Sequence, residues 1–301
     1  MDAITEGADP DALLNGRLGR AMLARLGATL GDALGATLGD APGATLGETP
    51  LDDPLALLLP VAEVAGEWAF GSGWEDVTGT GGLRPLAEAV AAAPAASWWR
   101  EPVQRAHQRW LGCQHHPTLA RGEAITRAAA IPARPGEWWS GPAGDSVWTS
   151  RGDIAGLPAV ALACAEDPFG AEDFDIWALA IDPAARVYEV HGPADWARLA
   201  QNYPREVAGN AVWDRWAGAK PGRRWILPDW PAVAGDWDGV HVSVAGYLST
   251  AGSAIGAGAA GDTLLAGWDA DQTLWLRDVF ADVGPLTTWH GTPGPEAIAR
   301  R

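Results

Sequence analysis

The sequence has few cysteines and few basic residues, and each shortage excludes a class of protein. Cys113 and Cys164 are its two cysteines, too few for a disulfide framework, so we expect a reduced, cytoplasmic protein. Lys and Arg total 21 against 38 Asp and Glu, and the formal net charge is −17. A field of that sign repels phosphate backbones and anionic lipid, so we expect no extended nucleic-acid interface and no membrane partner.

Long hydrophobic runs are also missing. The longest apolar run near the N-terminus, residues 54–64, contains Pro54, Pro60 and Glu63 and is too short to span a bilayer. No basic segment followed by an apolar one opens the chain, so no secretory signal is expected. The 301 residues, 48% of them hydrophobic, are enough for one large domain or two smaller ones.

Tryptophan is the abundant exception, with 18 Trp against three Tyr and four Phe. A GC-rich gene raises Trp together with Ala, Gly and Pro, which is one explanation. The other is functional, because Trp favours wet-edged cores and binding clefts. Residues 213–237 are rich in Trp with acidic neighbours, which is typical of a platform for a sugar ring or a cation. A non-catalytic Trp-rich module that binds a ligand or a protein therefore stays open.

The chain divides into three segments. Residues 26–49 repeat an eight-residue, Gly-containing unit, and because Gly disfavours helix, residues 1–50 are predicted to be flexible and to add little stability. Residues 51–111 are predicted to form a helical layer, in which Trp98, Val103, Ala106 and Trp110 recur at helical spacing.

From residue 112 to residue 301 the hydrophobic period shortens, which predicts a strand-rich α+β domain. One helix is expected inside it, over Ala194–Tyr203, with Pro193 at its start. The predicted strands are residues 119–122, 146–150, 159–165, 176–181, 187–190, 240–244 and 273–279.

Two kinds of catalytic site are not supported by the residues. Cys113, His115 and His116 lie close together, but no second ligand pair follows at a useful spacing, so no metal site is predicted. No Gly-x-Ser-x-Gly motif occurs, which disfavours a serine hydrolase.

Three short motifs carry the remaining chemistry. In chain order they are Leu119-Ala120-Arg121-Gly122, Val147-Trp148-Thr149-Ser150 and Asp269-Ala270-Asp271. With these motifs, residues 118–280 resemble the ADP-ribosyltransferase fold of the Arg–Ser–Glu type, with aspartates at the positions of that family's two glutamates. The stretches over residues 186–196 and 237–248 also resemble segments of uncharacterised bacterial proteins.

The resemblance implies a strand-rich ADP-ribosyltransferase-like core that uses NAD and modifies an unknown acceptor, a nucleotide or a protein. It implies that Arg121 clamps the pyrophosphate, with Gly122 allowing close backbone approach. Trp148 or Trp268 would stack on the nicotinamide, and Thr149 and Ser150 would orient its ribose.

Asp271 and Asp269 would be the catalytic carboxylates. By the resemblance, Asp271 stabilises the oxocarbenium-like state as nicotinamide leaves, and Asp269 helps to select the target. The alternative is structural: both aspartates would be turn residues after Gly267, with side chains bonded to nearby backbone.

Overall fold

The computed structural model describes residues 8–40, 51–70, 82–113, 139–142, 147–166, 173–207, 211–216 and 223–299. These residues form an α+β fold, as the sequence predicts. The α-helices are α1 (Pro10–Asn15), α2 (Arg17–Asp40), α3 (Pro54–Phe70), α4 (Arg84–Ala92), α5 (Val160–Cys164), α6 (Pro193–Asn202), α7 (Ala211–Trp216), α8 (Trp230–Asp236), α9 (Val244–Thr250) and α10 (Pro295–Ala299). Short 3-10 helices cover Pro94–Arg100 and Gly258–Ala260.

The strands are β1 (Gln108–Cys113), β2 (Val147–Arg151), β3 (Asp173–Ile181), β4 (Val187–Val190), β5 (Pro204–Val207), β6 (Trp225–Pro228), β7 (Gly239–Val242), β8 (Ile255–Gly256), β9 (Asp262–Thr263), β10 (Gln272–Trp275) and β11 (Phe280–His290). Seven of them form one sheet in the order β11-β3-β1-β2-β10-β7-β4, and four form a second in the order β5-β6-β9-β8. Within the larger sheet, neighbours run antiparallel, apart from β4, which lies parallel to β7.

The two faces of the larger sheet differ in polarity. On one face Val240, Val242 and Leu274 join the main hydrophobic core with the helices. On the other face the strand registers align Glu189 with His241, His241 with Thr273, and Thr273 with Thr149. Because paired residues of adjacent strands point to the same face, these four side chains form a polar row across β4, β7, β10 and β2.

The N-terminal segment corrects the sequence prediction. Residues 10–40 are helical, and Leu13, Leu18 and Leu23 are fully buried in the main core. Glycine supports this packing, because a Cβ on Gly16 would lie 2.3 Å from the carbonyl oxygen of Leu248 in α9. The prediction that residues 1–50 are flexible is therefore wrong for this part; residues 1–7 and 41–50 lie outside the described residues.

The predicted boundary at residue 111 is also wrong. α3, α4 and the 3-10 helix confirm a helical layer, but the chain leaves helix after Arg100, and Gln108–Cys113 is strand β1. Pro102 follows Glu101 directly and disfavours helical geometry there. Trp110 then pairs with Thr149 and Trp177 in the sheet, so its helical spacing to Trp98 was coincidental.

Elements further along the chain show where local pattern fails. The run over residues 159–165, predicted as a strand, contains helix α5 and has no paired neighbour strand among the described residues. Strand β11 was not predicted, because Gly284 and Pro285 interrupt it where its register to β3 shifts. The predicted helix over residues 194–203 is confirmed as α6.

Within the part of the chain that the structure describes, no helix combines the length and the apolar character needed to cross a membrane.

Burial of α2 predicts the effect of a single truncation. Leu23→Ala removes a side chain that is fully buried between α2 and the core. Since a buried leucine cavity costs about 2–5 kcal/mol, we expect the free energy of unfolding to fall by that amount. Denaturant unfolding followed by circular dichroism measures it.

Leu30→Ala, on the same helix but only partly buried, is the matched control and should cost clearly less. Equal stability of the Leu23→Ala variant and the wild type would show that α2 does not pack on the core.

Candidate functional site

Pairing of β2 with β10 brings two of the three motifs together. Ser150 is aligned with Gln272 at the end of the ladder. One residue further on, the Arg151 backbone N–H donates to Oδ2 of Asp271 over 2.9 Å. Asp271 itself adopts a left-handed conformation, with φ of 56°, in the turn that leads into β10. Arg121 and Gly122 of the first motif lie outside the described residues.

Asp271 belongs to a set of charged side chains that we call the charged network. Its members are Glu101, Arg151, Asp271, His241 and Glu189. His241 lies at the centre: its Nδ1 is 2.6 Å from Oε2 of Glu189, and its Nε2 is 3.4 Å from Oδ1 of Asp271. Sequence reasoning selected only Asp271 from this network.

Arginine 151 connects the network to the helical layer. Its Nη1 donates to Oε2 of Glu101 over 2.7 Å, and its Nε lies 3.7 Å from Oδ1 of Asp271. The guanidinium also lies 5.1 Å from the ring centroid of Trp98, a favourable cation–π distance. The 3-10 helix and the extended chain after it thus form one wall of the site.

The charged network has a buried part and a rim that is partly exposed to solvent. The side chains of His241 and Asp271 are 1% and 2% exposed, and that of Arg151 is 7% exposed. Those of Glu189 and Glu101 are 21% and 30% exposed. A ligand that approaches from solvent therefore meets the two glutamates first.

The network holds His241 in its charged form. Complete burial lowers the pKa of His241, but the carboxylates of Glu189 and Asp271 outweigh it and raise the pKa to about 9. At neutral pH two cations, His241 and Arg151, therefore face three acidic side chains. With three carboxyl side chains against two cations the network has an acidic balance, which suits a cationic ligand or a transition state that becomes positive.

Part of the network has unused hydrogen-bonding capacity. Among the described residues, Nε and Nη2 of Arg151 have no hydrogen-bond partner although both are buried, and the same holds for Nε1 of Trp98 and Oγ1 of Thr273. Buried donors without partners are costly. All four atoms are buried, so a molecule that stays at the exposed edge of the network does not reach them.

The hydroxyls of the second motif bond within the protein. Thr149 Oγ1 donates to Oε1 of Gln108 and accepts from Nε1 of Trp275. Ser150 points to the opposite face, where its Oγ accepts from the backbone N–H of Ala161 over 3.0 Å. Alternation along the strand separates the two hydroxyls, so only Thr149 lies in the polar row.

Trp148 packs edge-on against another ring, with its centroid 4.8 Å from that of Trp268. It is on the same face of β2 as Ser150, away from the charged network. The predicted stacking of Trp148 on a nicotinamide would therefore need a site on that opposite face.

Asp269 joins a second cluster rather than the charged network. Its Oδ1 accepts from the backbone N–H of Glu166 over 2.9 Å, and its Oδ2 accepts from Nε2 of Gln272 over 2.8 Å. The hydroxyl of Tyr247 donates to Oε1 of the buried Glu166 over 2.8 Å. The two aspartates of the motif thus anchor different parts of the structure.

Burial, reinforced by the charge of Asp269, raises the pKa of Glu166 well above its ordinary value. Its carboxyl group is therefore neutral in the folded protein over a wider pH range than in the unfolded chain. In its neutral form, Glu166 does not repel the negatively charged Asp269.

Three of the five tryptophans within residues 213–237 lie in the core. Trp213, Trp225 and Trp230 are buried, and Trp213 packs against Trp225 with centroids 5.4 Å apart. Nε1 of Trp225 donates to Oδ1 of Asp214, and Nε1 of Trp230 donates to the carbonyl of Ser140. These rings lock irregular chain onto the fold and are not open to a ligand.

Residues that sequence reasoning missed carried a weak local signal. His241 lies between Val240 and Val242, and Glu189 lies next to Val190. Alternation along a strand places each of these ionisable side chains on the face opposite to that of its valine neighbours. A lone ionisable residue inside an apolar strand indicates a buried partner. Its identity depends on the parallel pairing of β4 with β7, which no local pattern reveals.

The described part of the chain contains no group of three or more His, Cys, Asp or Glu side chains arranged to hold a metal ion. Comparison with protein-family models, curated proteins and solved structures finds no match for the chain.

The raised pKa of His241 makes stability depend on pH. An elevated pKa in the folded state stabilises the protein fully below the ordinary value of 6.5, and this contribution is lost as the pH rises through about 9. We expect a ring titration midpoint near 9 for His241 by NMR, identified by its loss in His241→Gln, and a lower midpoint in Glu189→Gln.

Glu206→Gln is the matched control, because Glu206 lies on β5 and pairs with the exposed Arg224, outside the charged network. It should leave the His241 midpoint unchanged. A wild-type midpoint at or below the ordinary histidine value would contradict the ion pairing.

The neutral state of Glu166 predicts a stabilising substitution. The pKa of Glu166 is raised in the folded protein, so the buried carboxyl group does not lower stability below the ordinary glutamate pKa. As the pH rises above that value, the free energy of unfolding falls, because the unfolded chain releases the proton more readily than the folded protein. Glu166→Gln keeps an oxygen that accepts from Tyr247 and removes this penalty. Denaturant unfolding should therefore show a variant more stable than wild type at about pH 8, with a smaller difference at about pH 5.

The Glu206→Gln variant serves again as the control and should show no such pH-dependent gain. Destabilisation of Glu166→Gln at both pH values would indicate that the ionised carboxylate is required.

Proposed function

We propose that the protein is an NAD-dependent ADP-ribosyltransferase-like enzyme that acts at the charged network. The observation that carries the proposal is the pairing of β2 with β10, through which the Thr149-containing motif and Asp271 become one hydrogen-bonded unit. These are two of the three motifs that carry the resemblance to the ADP-ribosyltransferase fold.

The proposed chemistry is a substitution at the ribose carbon that bears nicotinamide. The carbon–nitrogen bond breaks, and its electron pair leaves with nicotinamide, which becomes neutral. The ribose carbon gains oxocarbenium character and then bonds to an oxygen or nitrogen atom of the acceptor, whose proton is released to solvent. With water as acceptor, NAD and water give ADP-ribose, nicotinamide and a proton.

Charge at the network supports this chemistry. The nicotinamide ring of NAD is cationic before cleavage, and the ribose becomes cationic during it. A site with three carboxyl side chains against two cations favours both species, because preorganised charge lowers the energy of a developing opposite charge.

The pyrophosphate of NAD needs a separate cation, and Arg121 keeps that role in the proposal, with Gly122 beside it. Thr149 and Ser150 act by fixing β2 against its neighbours, since their hydroxyls already bond to protein. Asp269 holds the turn before β10 in place through its bonds to Glu166 and Gln272.

A non-catalytic ring-binding module is the second candidate. It is favoured by Trp110 and Trp177, whose ring centroids are 5.4 Å apart. Both side chains are partly buried and continue the polar row on the same face of the sheet. Such a pair can stack on a planar or sugar ring, with or without a reaction.

Removing the charge of Asp271 tests the proposed enzyme. Purified wild type should release nicotinamide from NAD, measured by chromatography at millimolar NAD. Asp271→Asn keeps the size of the side chain and an acceptor for the Arg151 N–H, but it removes the negative charge beside His241. We expect release to fall by about 10²-fold or more, the size of effect seen when one stabilising electrostatic group is lost.

Asp236→Asn is the matched control, because Asp236 accepts from the hydroxyl of Tyr203 on the surface and should leave release unchanged. Wild-type protein that neither binds NAD nor releases nicotinamide would refute the enzyme and leave the ring-binding module.

A further inference from the structure

Asp271 is poorly placed to touch a substrate. Its side chain is 2% exposed, one oxygen accepts from the backbone of Arg151, and the other faces His241. A molecule from solvent cannot reach this carboxylate without displacing the residues around it. The negative charge that a substrate meets must therefore come from elsewhere in the charged network.

We infer that Glu189 is the carboxylate that contacts the ribose of the substrate, and that His241 and Asp271 are positioning residues that hold it. This inference rests on the proposed function and names the group that acts at the same site.

Glu189 is both accessible and fixed. It lies on β4, at the edge of the larger sheet as described, and its side chain is 21% exposed. Its Oε1 accepts from the backbone N–H of Val103 over 3.1 Å, and its Oε2 is 2.6 Å from Nδ1 of His241. Each carboxylate oxygen has a second lone pair, so Glu189 can accept a ribose hydroxyl without losing either bond.

The other rim carboxylate, Glu101, has a different role. Its Oε2 already accepts from Nη1 of Arg151 over 2.7 Å and from Nε2 of Gln104 over 2.9 Å. These bonds hold Arg151 in place. Glu101 therefore orients the arginine rather than the substrate.

A ribose diol suits a carboxylate such as that of Glu189, because its hydroxyls donate hydrogen bonds. Arg151 does not contact the ribose in this arrangement, since its Nη2 is buried.

The chain of contacts explains how Asp271 matters without touching substrate. Asp271 faces Nε2 of His241, and Nδ1 of His241 faces Glu189. The imidazole is thereby held in one orientation between two carboxylates. Loss of Asp271 lets the ring turn, and Glu189 then loses one of its two anchors.

The first test is the Glu189→Gln variant in the full-length protein, which keeps the shape of the side chain and removes its charge. We expect kcat for nicotinamide release to fall about 10²-fold or more. The Kd for NAD, measured by quenching of tryptophan fluorescence, should change less than about threefold, because one ribose contact contributes little to the affinity for the whole dinucleotide. Glu206→Gln, on β5, is the control and should match wild type in both measurements.

The second test uses wild-type protein and does not depend on turnover or on the folding of a variant. Addition of ADP-ribose should shift the NMR signals of the His241 ring, because the carboxylate bonded to Nδ1 would also accept a ribose hydroxyl. The exposed His290 is the internal control, since it pairs with Asp173 and its signals should not move.

The outcomes separate the two proposals. Active wild type with a folded Glu189→Gln variant within tenfold of its kcat would overturn this inference alone. So would ADP-ribose that quenches tryptophan fluorescence and leaves the His241 signals unmoved. Wild-type protein that neither releases nicotinamide nor binds NAD would overturn the proposed function and this inference together.

Discussion

Antiparallel pairing of β2 with β10 is the constraint on which the rest of the site depends. The ladder ends at Ser150 and Gln272, and the bond from the Arg151 N–H to Asp271 extends it by one residue. A carboxylate is thereby fixed beside the buried end of a central strand. Because an isolated buried charge is very costly, this position requires cationic partners, and His241 and Arg151 supply them.

Structural and chemical roles coincide at Asp271. Its left-handed backbone makes it a turn residue, and its carboxylate is also the inner end of the charged network. The rim of that network is what solvent meets, through Glu189 and Glu101. A fully paired carboxylate in the interior, such as that of Asp271, fixes the geometry of the site. A partly exposed carboxylate at the rim has lone pairs left for a ligand.

The sequence pattern predicts an element correctly where that element depends on residues close together in the chain. The strands over residues 176–181 and 187–190 and the helix α6 follow from alternation or helical spacing, which are local properties. The burial of α1 and α2 does not, because glycine lowers helix propensity while allowing the close approach of Gly16 to α9. Tertiary contact outweighed propensity there.

By itself the sequence determined the α+β class, the acidic surface charge, and the presence of an Asp-containing turn before an apolar strand. Each depends on composition or on neighbours along the chain. Only the tertiary structure decided which carboxylates meet His241, because Glu189 and Asp271 lie 52 and 30 residues from it. Strand pairing between distant segments and the burial that raises or lowers a pKa are properties of the assembled sheet, so no local pattern contains them.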